Sequence, residues 1–207
     1  GLGYAERDPT ADVEGFDAGA KAAIIATVAF GARVVAGDVY HEGISGITVA
    51  DIEFAADLQH CIKLLAVVEQ TRASDGGLQI GVRVHPTLVP LDHPLASVRG
   101  SFNAVFVEGG ASGDLMFYGR GAGGRPTASA VLGDLIDAAG NLRRGHGAPI
   151  GALERARIAP IDDVTSAFYL NVEVDDRPGV LAQVATVFGE NGVSIRSMEQ
   201  EGLGGEA

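Results

Sequence analysis

Asp17 and Lys21 stand four residues apart, so on a helix they share one face. Glu6 and Asp12 lie in the polar segment that leads into that helix. A loop feeding a helix in this way can gather three carboxylates around one ammonium group. Such a group suits a zwitterion: the carboxylates hold an amino group while the lysine gives or takes a proton. General acid–base help of this kind is worth ~10²–10⁴ in rate, or roughly 3–5 kcal/mol. On spacing alone the commoner meaning is a surface ion pair worth about 0.3–0.5 kcal/mol.

Two further stretches carry chemistry-bearing patterns. Gly119-Arg120-Gly121-Ala122-Gly123-Gly124 satisfies G-x-G-x-x-G between a strand and a helix, the arrangement that presents backbone amides to a dinucleotide. A complete dinucleotide unit needs a second parallel strand ending in an acidic residue about 20 positions on. Arg143-Arg144-Gly145-His146-Gly147 follows instead, so the glycine loop is expected only to touch a cofactor held mainly elsewhere. Asp175-Asp176-Arg177-Pro178-Gly179-Val180-Leu181 forms a second strand-to-helix turn with free amides, equally readable as a plain turn with Pro and Gly in their usual places. The five histidines show neither H-x-x-x-H nor H-E-x-x-H pairing, so no metal is expected. No G-x-S-x-G elbow occurs, and Cys61 reads as a small core residue rather than a nucleophile.

The elements that must position these residues follow from periodicity and turn chemistry. Residues 1–16 are polar and turn-rich, and Asp17 to Phe30 reads as an Ala/Ile-rich helix stopped by Gly31. Thr48 to Asp51 is a capping-box variant opening a helix to about His60. Strands are expected over Ile62–Glu69, Leu78–His85, Phe102–Glu108 and Asp114–Tyr118, with Asp75-Gly76-Gly77 as a hairpin turn. Pro126 to about Leu142 reads as a helix, and 146–165 as a linker. From 166 a second unit is expected: strand 168–174, helix Val180–Glu190, strand 193–198.

Composition narrows the classes. The chain has 207 residues, 27 acidic against 15 Lys or Arg, and a net charge of −12. That argues against nucleic acid and against a polybasic membrane anchor. No apolar run approaches the roughly 18 residues of a membrane span. With 46% apolar residues a real core is expected, and the single Cys fits a reducing cytosol. Thirty glycines and no tryptophan suit a loop-rich chain of mixed helix and strand. The chain opens Gly1-Leu2-Gly3-Tyr4 without Met and ends Gly-Leu-Gly-Gly-Glu-Ala, so both ends are expected to be cut ends.

The segment Gly3-Tyr4-Ala5-Glu6, Asp8-Pro9-Thr10-Ala11-Asp12-Val13-Glu14-Gly15-Phe16-Asp17-Ala18 and Lys21 resembles the signature of homoserine dehydrogenase. Glu42-Gly43-Ile44, Gly46-Ile47, Asp51-Ile52, Phe102-Asn103-Ala104-Val105, Tyr118-Gly119, Gly121-Ala122-Gly123 and Pro126-Thr127-Ala128-Ser129-Ala130-Val131 extend the match over nearly all of 1–145. The tail, through D-x-P-G-V-L and Gly192-Val193-Ser194-Ile195, resembles the start of an amino-acid-sensing ACT domain. The resemblance implies an α+β fold, a mixed-sheet catalytic and oligomerisation domain (1–145), a linker (146–165) and a partial ferredoxin-like ACT unit (166–207). It implies Lys21 as proton donor, Glu6, Asp12 and Asp17 as the homoserine site, and Gly3, Glu6, Gly119 and Gly121 against NADP or NAD. In the ACT unit it points to Asp175, Pro178, Gly179 and Val180 as the regulatory turn.

The implied reaction interconverts L-homoserine and L-aspartate 4-semialdehyde, a cytoplasmic step towards threonine and methionine, in a homo-oligomer with an amino acid such as threonine as effector. The family's N-terminal Rossmann domain, with its second active-site lysine and sodium site, has no counterpart in this sequence. Nor has the first strand and helix of its catalytic domain. The chain alone is therefore expected to be inactive, and the half ACT unit to expose a strand edge that promotes association. A rival reading is an amino-acid-sensing ACT-type binding protein without catalysis.

Overall fold

The computed structural model describes residues 8–147, 153–175 and 177–198. The chain divides into two compact units, Gly1–Ser166 and Ala167–Ala207. The first contains helices α1 (Thr10–Val13), α2 (Phe16–Phe30), α3 (Val49–Asp57) and α4 (Gly124–Arg143). Its strands are β1 (Tyr40–His41), β2 (His60–Arg72), β3 (Leu78–Pro90), β4 (Phe102–Gly109) and β5 (Gly113–Arg120). The second unit holds helix α5 (Val180–Glu190).

The first unit holds a mixed three-stranded sheet in the order β1-β3-β2, with β1 parallel and β2 antiparallel to β3, and a separate antiparallel hairpin of β4 and β5. Alternation along β3 turns Ile80, Val82 and Val84 to one face. There they form the core with Ala23 and Ala26 of α2, Val34 and Val39. The inner face of α2 is made of small residues, Gly19, Ala22, Ala23 and Ala26, so the helix axis lies close to the sheet. Gly31 ends α2 in the left-handed conformation (φ 64°) with its N–H on Thr27 O, as the sequence predicts. The capping box at Thr48 also forms: Thr48 accepts from Asp51 N, and Asp51 accepts from Thr48 N.

Both long strands exceed their expected spans. The expected spans are Ile62–Glu69 and Leu78–His85, yet β2 and β3 pair over their full length, from His60↔Pro90 to Arg72↔Leu78. Ile80 N donates to Arg157 O, and Val84 O accepts from Glu42 N. The backbone groups of the even-numbered β3 residues therefore point away from β2. Pro86 and Pro90 fall in that series beyond the reach of β1, which stops opposite Val84, so neither removes a ladder hydrogen bond. Helix α4 begins at Gly124, two residues before the expected start. Pro126 then occupies the first turn, where an N–H would have no helical partner. The helix expected from Thr48 to about His60 ends at Asp57.

The segment 153–164, expected as a linker, is a strap packed on the sheet. It makes parallel bridges Arg33↔Arg155 and Ile80↔Ile158, and Ala156 and Ile158 join the core. Two ion pairs fasten it, Arg155 to Asp38 (2.8 Å) and Arg157 to Asp75 (2.6 Å). Its Gly, Pro and charge content hid a short alternating run, Ala156 and Ile158 inward with Arg155 and Arg157 outward. In the second unit, runs 168–174 and 193–198 are assigned to no strand among the described residues, whereas the expected helix forms.

Candidate functional site

The corner between α1 and α2 positions the acid–lysine group. Gly15 makes that corner with φ 79°, a conformation glycine adopts without strain. A β-carbon there would also stand 2.6 Å from Val84 Cγ1, so the corner sits directly on the sheet. Asp17 and Lys21 follow on the outer face of α2 and form the expected ion pair, with side chains 48% and 62% exposed. Asp12 lies on α1, exposed, and its carbonyl accepts from Gly15 N (3.3 Å). No hydrogen bond joins its carboxylate to Asp17 or Lys21 among the described residues. Gly3 and Glu6 fall outside the described residues.

Contacts from residues 41–45, unforeseen in the sequence, hold this corner. Ile44 N donates to Val13 O (2.9 Å). Ser45 Oγ donates to Glu14 Oε1, and Gly43 lies so close to Glu14 that a β-carbon would strike its side chain. The ring of His41 sits 5.0 Å from that of Phe16 and fills the space above Gly19. His41 carries no spacing signal, because it reaches α2 only through the pairing of β1 with β3. Just upstream, Asp8 Oδ1 accepts from Thr10 Oγ1 (2.6 Å) and Thr10 N (3.1 Å). These bonds, the hydroxyl's first, hold the Asp8 carboxyl below its usual range.

The glycine loop follows β5. Gly119 pairs with Asn103 across the hairpin, and Gly121 N donates to Ser101 O (3.4 Å). Gly123 takes φ 121° and ψ 145° at the start of α4, a conformation open essentially only to glycine. No side chain caps this 20-residue helix, so its first amides keep their donors for an anionic or dipolar ligand. That donor set fits the nicotinamide dinucleotide the sequence suggests. A recess elsewhere, lined by Asp38, Tyr40, Arg83, Ile158 and Val164 among others, includes none of the expected site residues.

In the second unit Gly179 caps α5 with φ 93°, Val180 opens the helix, and Gln183 N donates to Gly179 O (3.1 Å). Pro178 lies in the preceding turn. Asp175 and Arg177 approach to 4.0 Å on the exposed surface, and Asp176 lies outside the described residues. Among the described residues no group of three His, Cys, Asp or Glu is placed to hold a metal ion. No described helix is long and apolar enough to cross a membrane.

Comparison with known proteins places these features. The family model described as homoserine dehydrogenase matches residues 1–136, and that of the ACT domain matches 168–206. The chain is 56% identical to the homoserine dehydrogenase of Corynebacterium glutamicum over 201 residues, 97% of this chain and 45% of that protein. It is 52% identical to that of Mycobacterium tuberculosis over 203 residues, 98% of this chain and 46% of that one. Among solved structures, the homoserine dehydrogenase of Thiobacillus denitrificans superposes with a TM-score of 0.83 at 39% identity, covering 97% of this chain and 47% of that one. The S. aureus enzyme at pH 6.5 gives 0.57 at 43% identity over 65% of this chain and 33% of its own. The chain thus spans about half the length of the relatives it matches.

Proposed function

The chain belongs to the homoserine dehydrogenase family, and on that premise we propose that it forms the substrate-binding and proton-transfer half of a homoserine dehydrogenase. The observation that carries this is the Asp17–Lys21 pair on the solvent-facing side of α2, held by the Gly15 corner. Lys21 Nζ gives its proton to the aldehyde oxygen when aspartate 4-semialdehyde is reduced, and a base at that nitrogen takes the hydroxyl proton when homoserine is oxidised. Asp17, with Glu6 and Asp12, holds the substrate's ammonium group. A bound NAD or NADP supplies or receives the hydride. Gly3, Glu6, Gly119 and Gly121 border it, and free amides at the start of α4 suit its dipolar groups.

The reaction belongs to amino-acid biosynthesis in the cytoplasm, on the way to threonine and methionine, and the protein works as a homo-oligomer. In the ACT portion, the turn of Asp175, Pro178, Gly179 and Val180 binds an amino-acid effector such as threonine.

The test uses protein expressed from the complete reading frame that encodes this chain, given homoserine with NAD or NADP. Formation of reduced nicotinamide is expected. Lys21→Ala should lower turnover by ~10²-fold or more with an unchanged melting temperature. Equal turnover in that variant would sink the role assigned to Lys21.

A further inference from the structure

We propose that Asn103 is a further cofactor-binding residue, whose side-chain amide hydrogen-bonds the uncharged nicotinamide–ribose half of the dinucleotide. This rests on the reading that the glycine loop faces such a cofactor.

The argument begins with why residue 121 is glycine. Gly123 needs glycine for its backbone, at φ 121°. Gly121 is absent from the positive-φ positions, so its backbone would accept a side chain. What a side chain there would meet is Asn103: a β-carbon on Gly121 would stand 2.6 Å from Asn103 Cγ and collide with its amide nitrogen, so the amide would have to turn aside. The missing side chain at 121 makes room for the Asn103 amide, which lies over the loop expected to meet the cofactor.

That amide is exposed, and no hydrogen bond to it is found among the described residues. The backbone carrying it is nonetheless clamped. Phe102 stacks on Tyr118, with ring centroids 4.8 Å apart and planes 4° from parallel. The Arg120 guanidinium lies 4.7 Å from the Phe102 ring centroid, and its Nη1 donates to Ser101 Oγ (3.4 Å). An exposed amide with unused donors and an unused acceptor, carried on a clamped stretch of backbone, is available to a ligand that reaches the loop. Being neutral and offering both roles, it matches a carboxamide or ribose hydroxyls better than a phosphate, which Arg or Lys serves best.

The experiment titrates NADPH into protein from the complete reading frame and reads binding directly by fluorescence or calorimetry. Asn103→Ala should weaken binding about 2- to 10-fold. The KM for homoserine and the melting temperature should hold. Gly121→Ala should weaken binding similarly, because its methyl displaces the amide. The double variant should match either single variant, as two routes to one lost contact. Wild-type NADPH affinity in Asn103→Ala, or a double variant weakened by the product of the two single effects, would overturn the proposal alone. A wild-type protein that binds no nicotinamide nucleotide and oxidises no homoserine would overturn both the proposal and the reading beneath it.

Discussion

At the scale of the residue, the acid–lysine pair was legible because helix periodicity alone puts positions 17 and 21 side by side, and the structure pairs them. Spacing does not separate a catalytic pair from an ornamental one; the catalytic reading rests on the resemblance of the surrounding segment to a family signature, and Lys21→Ala tests it. What spacing could not reveal is the floor beneath the pair. Gly15 reads as an ordinary turn glycine, yet it is fixed twice, by φ 79° and by Val84 Cγ1 at 2.6 Å from where a β-carbon would go. Its second constraint joins residues 69 positions apart and leaves no local trace. Gly15→Ala should therefore destabilise the protein by about 1–4 kcal/mol, the sum of left-handed strain and overpacking. Urea unfolding would measure it, and a variant within a few tenths of a kcal/mol of the parent would show that the corner yields. His41 is hidden for the same reason, since its contact with Gly19 exists only once β1 joins the sheet.

At the scale of the element, sequence periodicity located every helix of eight or more residues among the described ones but misjudged extents. The strand expected over Leu78–His85 runs on through Pro86 to Pro90, because local reading does not say which side of a strand lacks a neighbour. The strap at 153–164 was missed because only two of its side chains face the core, too few to register as alternation. Its anchors give it a pH dependence. Asp38 is held below the usual carboxyl range, first by the hydrogen bond from Val35 N and then by Arg155, against the opposing cost of burial. Its side chain is only 8% exposed. A carboxyl whose folded pKa is depressed stabilises fully above its unfolded value, about 4, and loses that contribution as pH falls through the folded one. Acidification from about pH 7 to about pH 3 should thus cost the parent protein more stability than Asp38→Asn, which has no charge to lose. Parallel losses in urea midpoint would show that Asp38 does not fasten the strap.

At the scale of the whole molecule, the core cluster lies entirely within the first unit, and Ala156 and Ile158 of the strap pack against it. Ending the chain after Ser166 should therefore leave the thermal midpoint within a few degrees. Ile158→Ala should lower it, since truncating a half-buried isoleucine packed against the core costs a part of the about 2–5 kcal/mol of a fully buried one. The opposite order in circular-dichroism melts would mean that the second unit supports the first. The same division bears on function. The acid–lysine group and the glycine loop belong to the first unit, but the chain spans about half the length of its relatives. A loop that borders a dinucleotide with a few backbone amides offers little of the binding that a dedicated nucleotide domain provides. With homoserine and NADP⁺ the 207-residue chain should accordingly give no turnover, while protein from the complete reading frame does. Turnover by the short chain would place the whole cofactor site within these residues, and the glycine loop would then be its main holder rather than its border.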